Sequence, residues 1–327
     1  MKVSFNNIDR QYYIHRQAIR TLTDVIWSSG RVLSGKSVEG FEQKLADLCG
    51  RAYGVAVGSC TDALYFALKA IGVGKGDKVL VPKFTFRSSY NQIEKLGAKP
   101  VFLDVDRYFL LKFPKRVSKQ VKAIIAVDLF GQTVDFDKVN EFAKKHNLVI
   151  IEDFAQAVGA FDGERPAGSL GRISCTSFDP SKILSSLETG GMLLTDNKAV
   201  EKKVRKWRTW DYNSQMSCAM AEVLQYKFRF LSDFVDYNGK IWQFYWQELE
   251  DVVEVPMIRP GCRPNWSRFV IRCKNRDKLK EFLKEEGIGT KIQYDDKDVL
   301  SLPLYPELLG DEADFVVKKI REFYERR

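Results

Sequence analysis

Four short segments hold residue types that can do chemistry together. Gly58-Ser59-Cys60-Thr61-Asp62-Ala63-Leu64 joins an apolar run to a helical pattern. Small hydroxyl residues at a helix start leave backbone N–H groups free beside a partial positive charge, which seats an anion such as phosphate. An ordinary N-cap uses the same residues. Ile150-Ile151-Glu152-Asp153-Phe154-Ala155-Gln156-Ala157 sets two carboxylates after an apolar run, so that one can face a crevice. A buried Asp there needs a cationic partner, and a protonated ring nitrogen would serve; a helix-capping Asp is the alternative. Ser177-Phe178-Asp179-Pro180-Ser181-Lys182 leads towards Glu188-Thr189-Gly190-Gly191. A Lys with a desolvated amine forms a Schiff base with a carbonyl, although most of the 52 basic residues must be solvated. Gly190-Gly191 permits a close backbone approach or a tight turn. Lys83-Phe84-Thr85-Phe86-Arg87 offers a ring that can stack on a flat group or pack into the core. A phosphate seat, an acid for a ring nitrogen, an amine and a stacking ring form the set that pyridoxal 5′-phosphate (PLP) requires.

Those segments need a scaffold, and the patterning supplies one. Tyr53–Val57, Lys78–Val81, Val101–Leu103, Ala123–Val127 and Leu148–Ile151 read as strands. Helical patterns at Asp62–Ile71, Tyr90–Leu96 and Phe136–Lys145 separate them. Apolar runs without alternation, spaced by helices, predict a mostly parallel sheet covered on both faces. Ligands in such sheets bind at the carboxyl ends of the strands. After Thr195 the pattern changes. Lys198–Trp207 reads as a charged helix, and 216–249 as one long aromatic-rich helical stretch. Phe269–Arg272 reads as a strand, with helices at Arg276–Glu286 and Val316–Tyr324. The expectation is an α/β chain whose large domain spans 1–235, N-terminal segment included, and whose smaller C-terminal α/β domain spans 236–327.

Composition narrows the chemistry. Of 327 residues only two are His, so a His-rich metal site is excluded. Neither His15 nor His146 lies in a nucleophile-elbow context. The six Cys never form CxxC, against a zinc framework. Their scatter suggests reduced thiols in a cytoplasm. No apolar run approaches a membrane span, and the first residues lack a signal-peptide core. The net charge of +9 is concentrated: residues 51–150 hold 17 basic and 9 acidic side chains. A solvated face or a site for an anionic small molecule explains that surplus. Dispersed basic residues and the lack of a recognition motif argue against nucleic acid.

The order of motifs resembles the PLP-dependent sugar-nucleotide aminotransferases of the DegT/DnrJ/StrS family, across nearly the whole chain. Ser59-Cys60-Thr61-Asp62-Ala63-Leu64 resembles the family's S-G-T-x-A-L. Gly76-Asp77-Lys78-Val79 with Pro82 and Thr85-Phe86 resembles G-D-E-V and P-x-x-T-F. Residues 97–106, GAKPVFLDVD, resemble G-A-x-P-V-F-V-D-V-D. Glu152-Asp153-Phe154-Ala155-Gln156 resembles E-D-A-A-Q, and Ser177-Phe178 with Lys182 resembles S-F-x-x-x-K.

The resemblance implies a PLP fold type I large domain, a mostly parallel mixed sheet between helices, with a smaller C-terminal α/β domain. It implies an aminotransferase that moves the amino group of L-glutamate to a nucleotide-linked keto-sugar, for surface polysaccharide, lipopolysaccharide or a glycosylated metabolite. Lys182 would hold PLP and shuttle the proton. Asp153 would pair with the pyridinium nitrogen, Phe86 would stack on the ring, and Gln156 would sit at the 3-hydroxyl side. Thr61, Asp62 and Ser177, with Cys60 at the Gly position of the same motif, would line the phosphate seat. Asn213, in Asp211-Tyr212-Asn213-Ser214, matches G-Y-N-S and would reach the phosphate of a neighbouring subunit, which implies a homodimer with shared sites. The spacing from Lys182 to Gly191 matches members that often aminate carbon 3.

Some positions depart from the pattern. Cys60 replaces Gly or Ala, Glu188-Thr189 replace Gly-Asp, and Gln215 stands where an Arg usually follows the Asn. A loop before Asp211 and a Pro- and His-bearing segment after Tyr294 are shortened, which opens the expected sugar pocket. Two alternatives follow. A sugar dehydratase of the family would carry His at the Schiff-base position, where this chain has Lys182. A non-catalytic regulatory protein would fit the shortened loops but not the intact Asp153 and Lys182.

Overall fold

The computed structural model describes residues 1–294 and 296–325. Its centre is a seven-stranded sheet of β1 (Tyr53–Val57), β2 (Lys78–Pro82), β3 (Lys99–Leu103), β4 (Val121–Val127), β5 (Val149–Asp153), β6 (Ile173–Ser177) and β7 (Gly191–Thr195). Their order is β1-β7-β6-β5-β4-β2-β3. Neighbours from β6 to β3 run parallel, while β7 is antiparallel to both β1 and β6. The sheet is therefore mixed and mostly parallel, as the uninterrupted apolar runs predict.

Successive residues of a strand point to opposite faces, so each strand feeds two cores. Val55 and Val57 join Leu64, Phe66 and Leu68 of α3 (Cys60–Ala70) on one face. Ala56 and Leu194 meet Phe41 and Leu45 of α2 (Lys36–Leu48) on the other. Near β3, Leu80 and Ile124 pack on Phe136 and Val139 of α5 (Phe136–His146). Helix α5 shows why it forms where it does. The Asp135 side chain accepts from Lys138 N, Lys144, Lys145 and His146 occupy the negative last turn, and Asn147 ends it at φ 52°.

Two helices without a counterpart in the sequence reading precede the sheet: α1 (Ile8–Ser29) and α2. Only Gln11, Ile19 and Ile26 of α1 are buried, so its apolar stripe is too thin to mark a helix in the sequence. Between β2 and β3 lies α4 (Ser88–Lys95), and α6 (Lys198–Lys206) follows β7. The aromatic-rich stretch is two helices, α7 (Cys218–Phe228) and α8 (Leu231–Leu249), rather than one. The break at Arg229-Phe230 lets α7 pack on α1 and α2 while α8 packs elsewhere.

Helix α8 enters a second, smaller layer. Its Trp242 and Tyr245 share a core with Leu279 and Leu283 of α9 (Arg276–Glu285) and with Val316 and Ile320 of α10 (Gly310–Glu325). That core covers an antiparallel sheet of β8 (Phe269–Arg272), β9 (Lys291–Ile292) and β10 (Val299–Leu302), ordered β8-β10-β9. Val3 also sits in this core, held by Val3 N to Gly287 O (2.9 Å) and Gly289 N to Val3 O (2.8 Å). Among the described residues no helix is long and apolar enough to cross a membrane.

Candidate active site

The carboxyl ends of β4, β5 and β6 and the start of α3 open into a cleft of about 550 Å³, with α4, β9 and the residues before β8 closing its rim. Cys60, Thr61, Phe86, Asp153, Gln156, Ser177 and Lys182 all line it. The seat at α3 is built from Ser59. Its hydroxyl accepts from Asp62 N (3.1 Å) and its carbonyl from Ala63 N (3.1 Å). The N–H groups of Cys60 and Thr61 are left at the open first turn, where an anion is favoured. The Thr61 hydroxyl meets that of Ser88 at 2.8 Å. Gly191 is required behind this seat, because a Cβ there would lie 2.3 Å from the Ser59 carbonyl carbon.

Asp153 ends β5 with its side chain buried, 5% exposed. Ser89 Oγ donates to Oδ2 (2.8 Å), and Ala155 N (3.2 Å) and Cys60 Sγ (4.0 Å) point at Oδ1. Among the described residues no cation lies in ion-pair contact with it. Burial pushes this carboxyl up; the Ser89 and Ala155 hydrogen bonds and the Lys182 charge pull it back. A buried carboxylate so placed awaits a cation from outside the chain.

Lys182 is delivered by a braced turn. Its N donates to Asp179 O (2.9 Å), and the Asp179 carboxylate accepts from Ser181 N (2.9 Å) and Ser181 Oγ (2.6 Å). Phe178 N to Gly190 O (2.9 Å) ties the loop to the glycine pair. Its amine has no hydrogen-bond partner among the described residues. Burial above all, then the Arg268 charge, lower it to about 8, against the pull of Asp179, Cys60 and Asp153. An amine whose proton affinity is lowered towards working pH sheds its proton more readily than an ordinary Lys, which suits a nucleophile for a carbonyl and a carrier for a proton.

Gln156 bridges two elements: its Oε1 accepts from Phe130 N (3.1 Å) and its Nε2 donates to Tyr294 Oη (2.7 Å). Tyr294 stacks on Phe130 at 11° and stands edge-on to Phe84. Its hydroxyl is pushed up to about 12 by burial, so it stays protonated. Phe86 is 60% exposed at the cleft edge, with its face available for a flat group.

Two of the expected residues stand apart. Asp62 does not line the cleft; its carboxylate accepts from Ser59 Oγ (2.9 Å) and Ser214 Oγ (2.7 Å), and its N–H is taken by Ser59. Asn213 is exposed, outside this cleft, with φ 48°, next to the Ser214 that Asp62 holds. Conversely, Ser88, Ser89, Arg268 and Tyr294 belong to the cleft without having been singled out in the sequence. A Ser pair directly after Phe86-Arg87 was a usable signal for two of them. Nothing in the sequence marks Arg268, which precedes a strand like many others.

The residues fit PLP on their own terms: a buried acid lacking a cation, an amine lacking a partner, and open N–H groups at a helix start. Among the described residues no group of three or more His, Cys, Asp or Glu is placed to hold a metal ion.

Comparison with known proteins shows the family of the chain. The model of the DegT/DnrJ/EryC1/StrS aminotransferase family matches residues 13–317. A protein of Geobacillus stearothermophilus named a pleiotropic regulatory protein is 32% identical over 99% of each chain. Their alignment spans 368 positions, so it carries gaps in this 327-residue chain. The UDP-N-acetyl-3-dehydro-alpha-D-glucosamine 3-aminotransferase of Acidithiobacillus ferrooxidans is 32% identical over 94% of each. Among solved structures, DesV of S. venezuelae, in complex with a ketimine intermediate, superposes with a TM-score of 0.94 at 28% identity, covering 100% of this chain and 99% of that one.

Proposed function

Since this chain belongs to the DegT/DnrJ/EryC1/StrS aminotransferase family and is a PLP-dependent aminotransferase, we propose that it moves the amino group of L-glutamate onto a nucleotide-linked keto-sugar. The observation that carries the reading is the facing pair in the cleft: an Asp153 carboxylate without a cation and a Lys182 amine without a hydrogen-bond partner. Bound PLP supplies a ring that withdraws electrons from the carbon losing its proton.

The chain's residues then divide the work. Asp153 Oδ1 and Oδ2 keep a proton on the ring nitrogen. Lys182 Nζ would hold the cofactor and would carry the proton between the reacting carbons; its lowered proton affinity suits both tasks. Phe86 would cover the ring, and Gln156, braced by Tyr294 and Phe130, would hold its 3-hydroxyl side. Thr61, Ser177 and the N–H groups of Cys60 and Thr61 hold the phosphate. Asp62 contributes by holding Ser214, and so fixes the exposed Asn213 segment from which a partner's seat would be completed.

Lys83 and Lys291 at the rim favour a diphosphate-bearing substrate. Amination at carbon 3 is supported by the spacing from Lys182 to Gly191 and by the name of the Acidithiobacillus relative. The exposed Asn213, with Trp210 80% exposed beside it, supports a homodimer in which each chain completes the other's seat. A cytoplasmic setting is supported by six cysteines, all free. Large domain 1–235 and small domain 236–327 form the two walls. The regulatory name of one relative favours a second reading, in which the cofactor is bound without turnover.

Absorbance decides between them. The purified holoenzyme should show the band of a lysine-bound cofactor, bleached by L-glutamate and restored by a nucleotide-linked keto-sugar. A band that no amino donor bleaches would favour the regulatory reading, and an unchanged band in Lys182→Ala would refute the role of Lys182.

A further inference from the structure

Arg268 lines the cleft without an assigned task. Arg268 immediately precedes β8, so it comes from the small-domain side and reaches the large-domain loop that delivers Lys182. Its Nη2 donates to Ser181 O (2.9 Å) and its Nη1 to Ser267 O (2.9 Å). A guanidinium has five N–H donors, so three are left over. Among the described residues no carboxylate forms an ion pair with it. The nearest candidate, Asp179, spends its carboxylate on Ser181. Phe5 covers one side of the guanidinium at 5.5 Å.

A half-buried guanidinium in a cleft, with spare donors and no counter-ion, favours the arrival of an anion. Its planar fork matches two oxygens of a carboxylate or phosphate. Position selects between them. Arg268 is hydrogen-bonded to the residue preceding Lys182, and its charge is among those felt by the Lys182 amine. In an α-amino acid the carboxylate sits on the very carbon that carries the amine. In a nucleotide-linked sugar aminated at carbon 3 the first phosphorus lies two ring carbons and an oxygen away. The cation beside Lys182 therefore matches the carboxylate, and the rim lysines Lys83 and Lys291 match the diphosphate.

We propose that Arg268 is the receptor for the α-carboxylate of the amino donor. The proposal rests on the aminotransferase reading above. It makes donor recognition span both walls of the cleft, the amine handled by Lys182 and the carboxylate by Arg268.

The test uses the holoenzyme and the variants Arg268→Gln and Arg268→Lys, with retained cofactor absorbance and circular dichroism as the check on folding. In Arg268→Gln the L-glutamate concentration for half-maximal bleaching should rise about a hundredfold. The half-reaction with the keto-sugar should lose no more than about tenfold, the loss expected from removing a charge felt by Lys182. Arg268→Lys should lie between. The wild type should prefer L-glutamate over its α-amide, isoglutamine, and Arg268→Gln should lose that preference, which a merely structural residue would not cause. Calorimetric titration with maleate, an unreactive dicarboxylate, gives a readout independent of turnover: heat in the wild type, lost in Arg268→Gln. Unchanged glutamate preference, or a defect confined to the sugar half-reaction, would overturn the proposal; the latter would assign Arg268 to the sugar-nucleotide anion. If the wild type transfers no amino group at all, the aminotransferase reading falls separately. The maleate titration then decides alone, and heat retained in Arg268→Gln overturns the receptor. If neither variant keeps its fold, wild type that fails to prefer L-glutamate over isoglutamine or gives no heat with maleate overturns it equally.

Discussion

Glu152 and Asp153 are neighbours on one strand, yet they serve two different regions. Glu152 faces the back of the sheet, where its oxygens accept from Gly168 N (2.7 Å), Leu170 N (2.9 Å) and Ser174 Oγ (2.8 Å). Arg51 closes that network by donating to Ser174 Oγ and Leu170 O. Asp153 faces the cleft, where its donors are Ser89 Oγ, Ala155 N and the more distant Cys60 Sγ. The two buried lysines repeat the contrast. Lys227 donates to Gln11 Oε1 (2.6 Å), Ser185 O (2.8 Å) and Ser185 Oγ (3.2 Å), whereas Lys182 has no such partner among the described residues. Burial lowers both amines to about 8 and raises both carboxyls. Burial and proton affinity thus fail to separate structure from chemistry here. Saturation of hydrogen bonds does separate the two lysines: Lys227 is fully partnered, and Lys182 is left open for a ligand.

That contrast breaks most sharply at Lys182. Lys182→Met should lower turnover on the order of 10⁴-fold or more while the chain stays folded, as a single-turnover assay with L-glutamate and a melting curve would show together. Retained turnover would mean that the open amine is not the reacting one.

Asp153→Asn should reduce the rate by roughly 10²- to 10³-fold with the cofactor still bound. Glu152→Gln should do the reverse, leaving the rate per bound cofactor within about threefold and reducing stability by about 1–3 kcal/mol in urea unfolding. Equal losses of rate in both would erase the distinction between the two faces.

The lysines predict opposite signs of stability. Lys227→Met strands Gln11 and Ser185 and should destabilise by about 1–3 kcal/mol. Lys182→Met strands nothing and should raise the melting temperature of the cofactor-free chain. The sign follows from linkage. The folded chain holds the Lys182 proton less tightly than the unfolded one, so the wild type carries a penalty at neutral pH. The gain in Lys182→Met should be full below about 8 and fade as pH rises towards 10.5. A gain that grows with pH would refute the lowered amine.

The smallest effect is expected at Tyr294→Phe, which removes one hydrogen bond to Gln156. About 1 kcal/mol, roughly fivefold in rate, is the expected loss.

Much of this was legible in the residues. Apolar runs at Ala123–Val127 and Leu148–Ile151 predict a covered parallel sheet because nothing in them alternates. The hydroxyls after β1, the acids after Ile151 and the Lys after Pro180 each mark a strand end. Helix α1 escaped because it buries too few residues to leave a pattern, and the break between α7 and α8 because packing decided it. Arg268, of ordinary local context, gave no sign of convergence, and Ser88 and Ser89 gave only their place directly after Phe86-Arg87.

Sequence by itself determined the kinds of chemistry available: an anion seat, an acid, an amine and a ring, on an α/β frame with too few histidines for a His-rich metal site. It did so because strand and helix periods and turn residues are local properties. Only the tertiary structure decided which donors surround Asp153 and Lys182, both already marked by the resemblance, and that a guanidinium just before β8 stands beside Lys182. Those are questions of which donors remain unspent, and a donor's partner is found across the fold rather than along the chain.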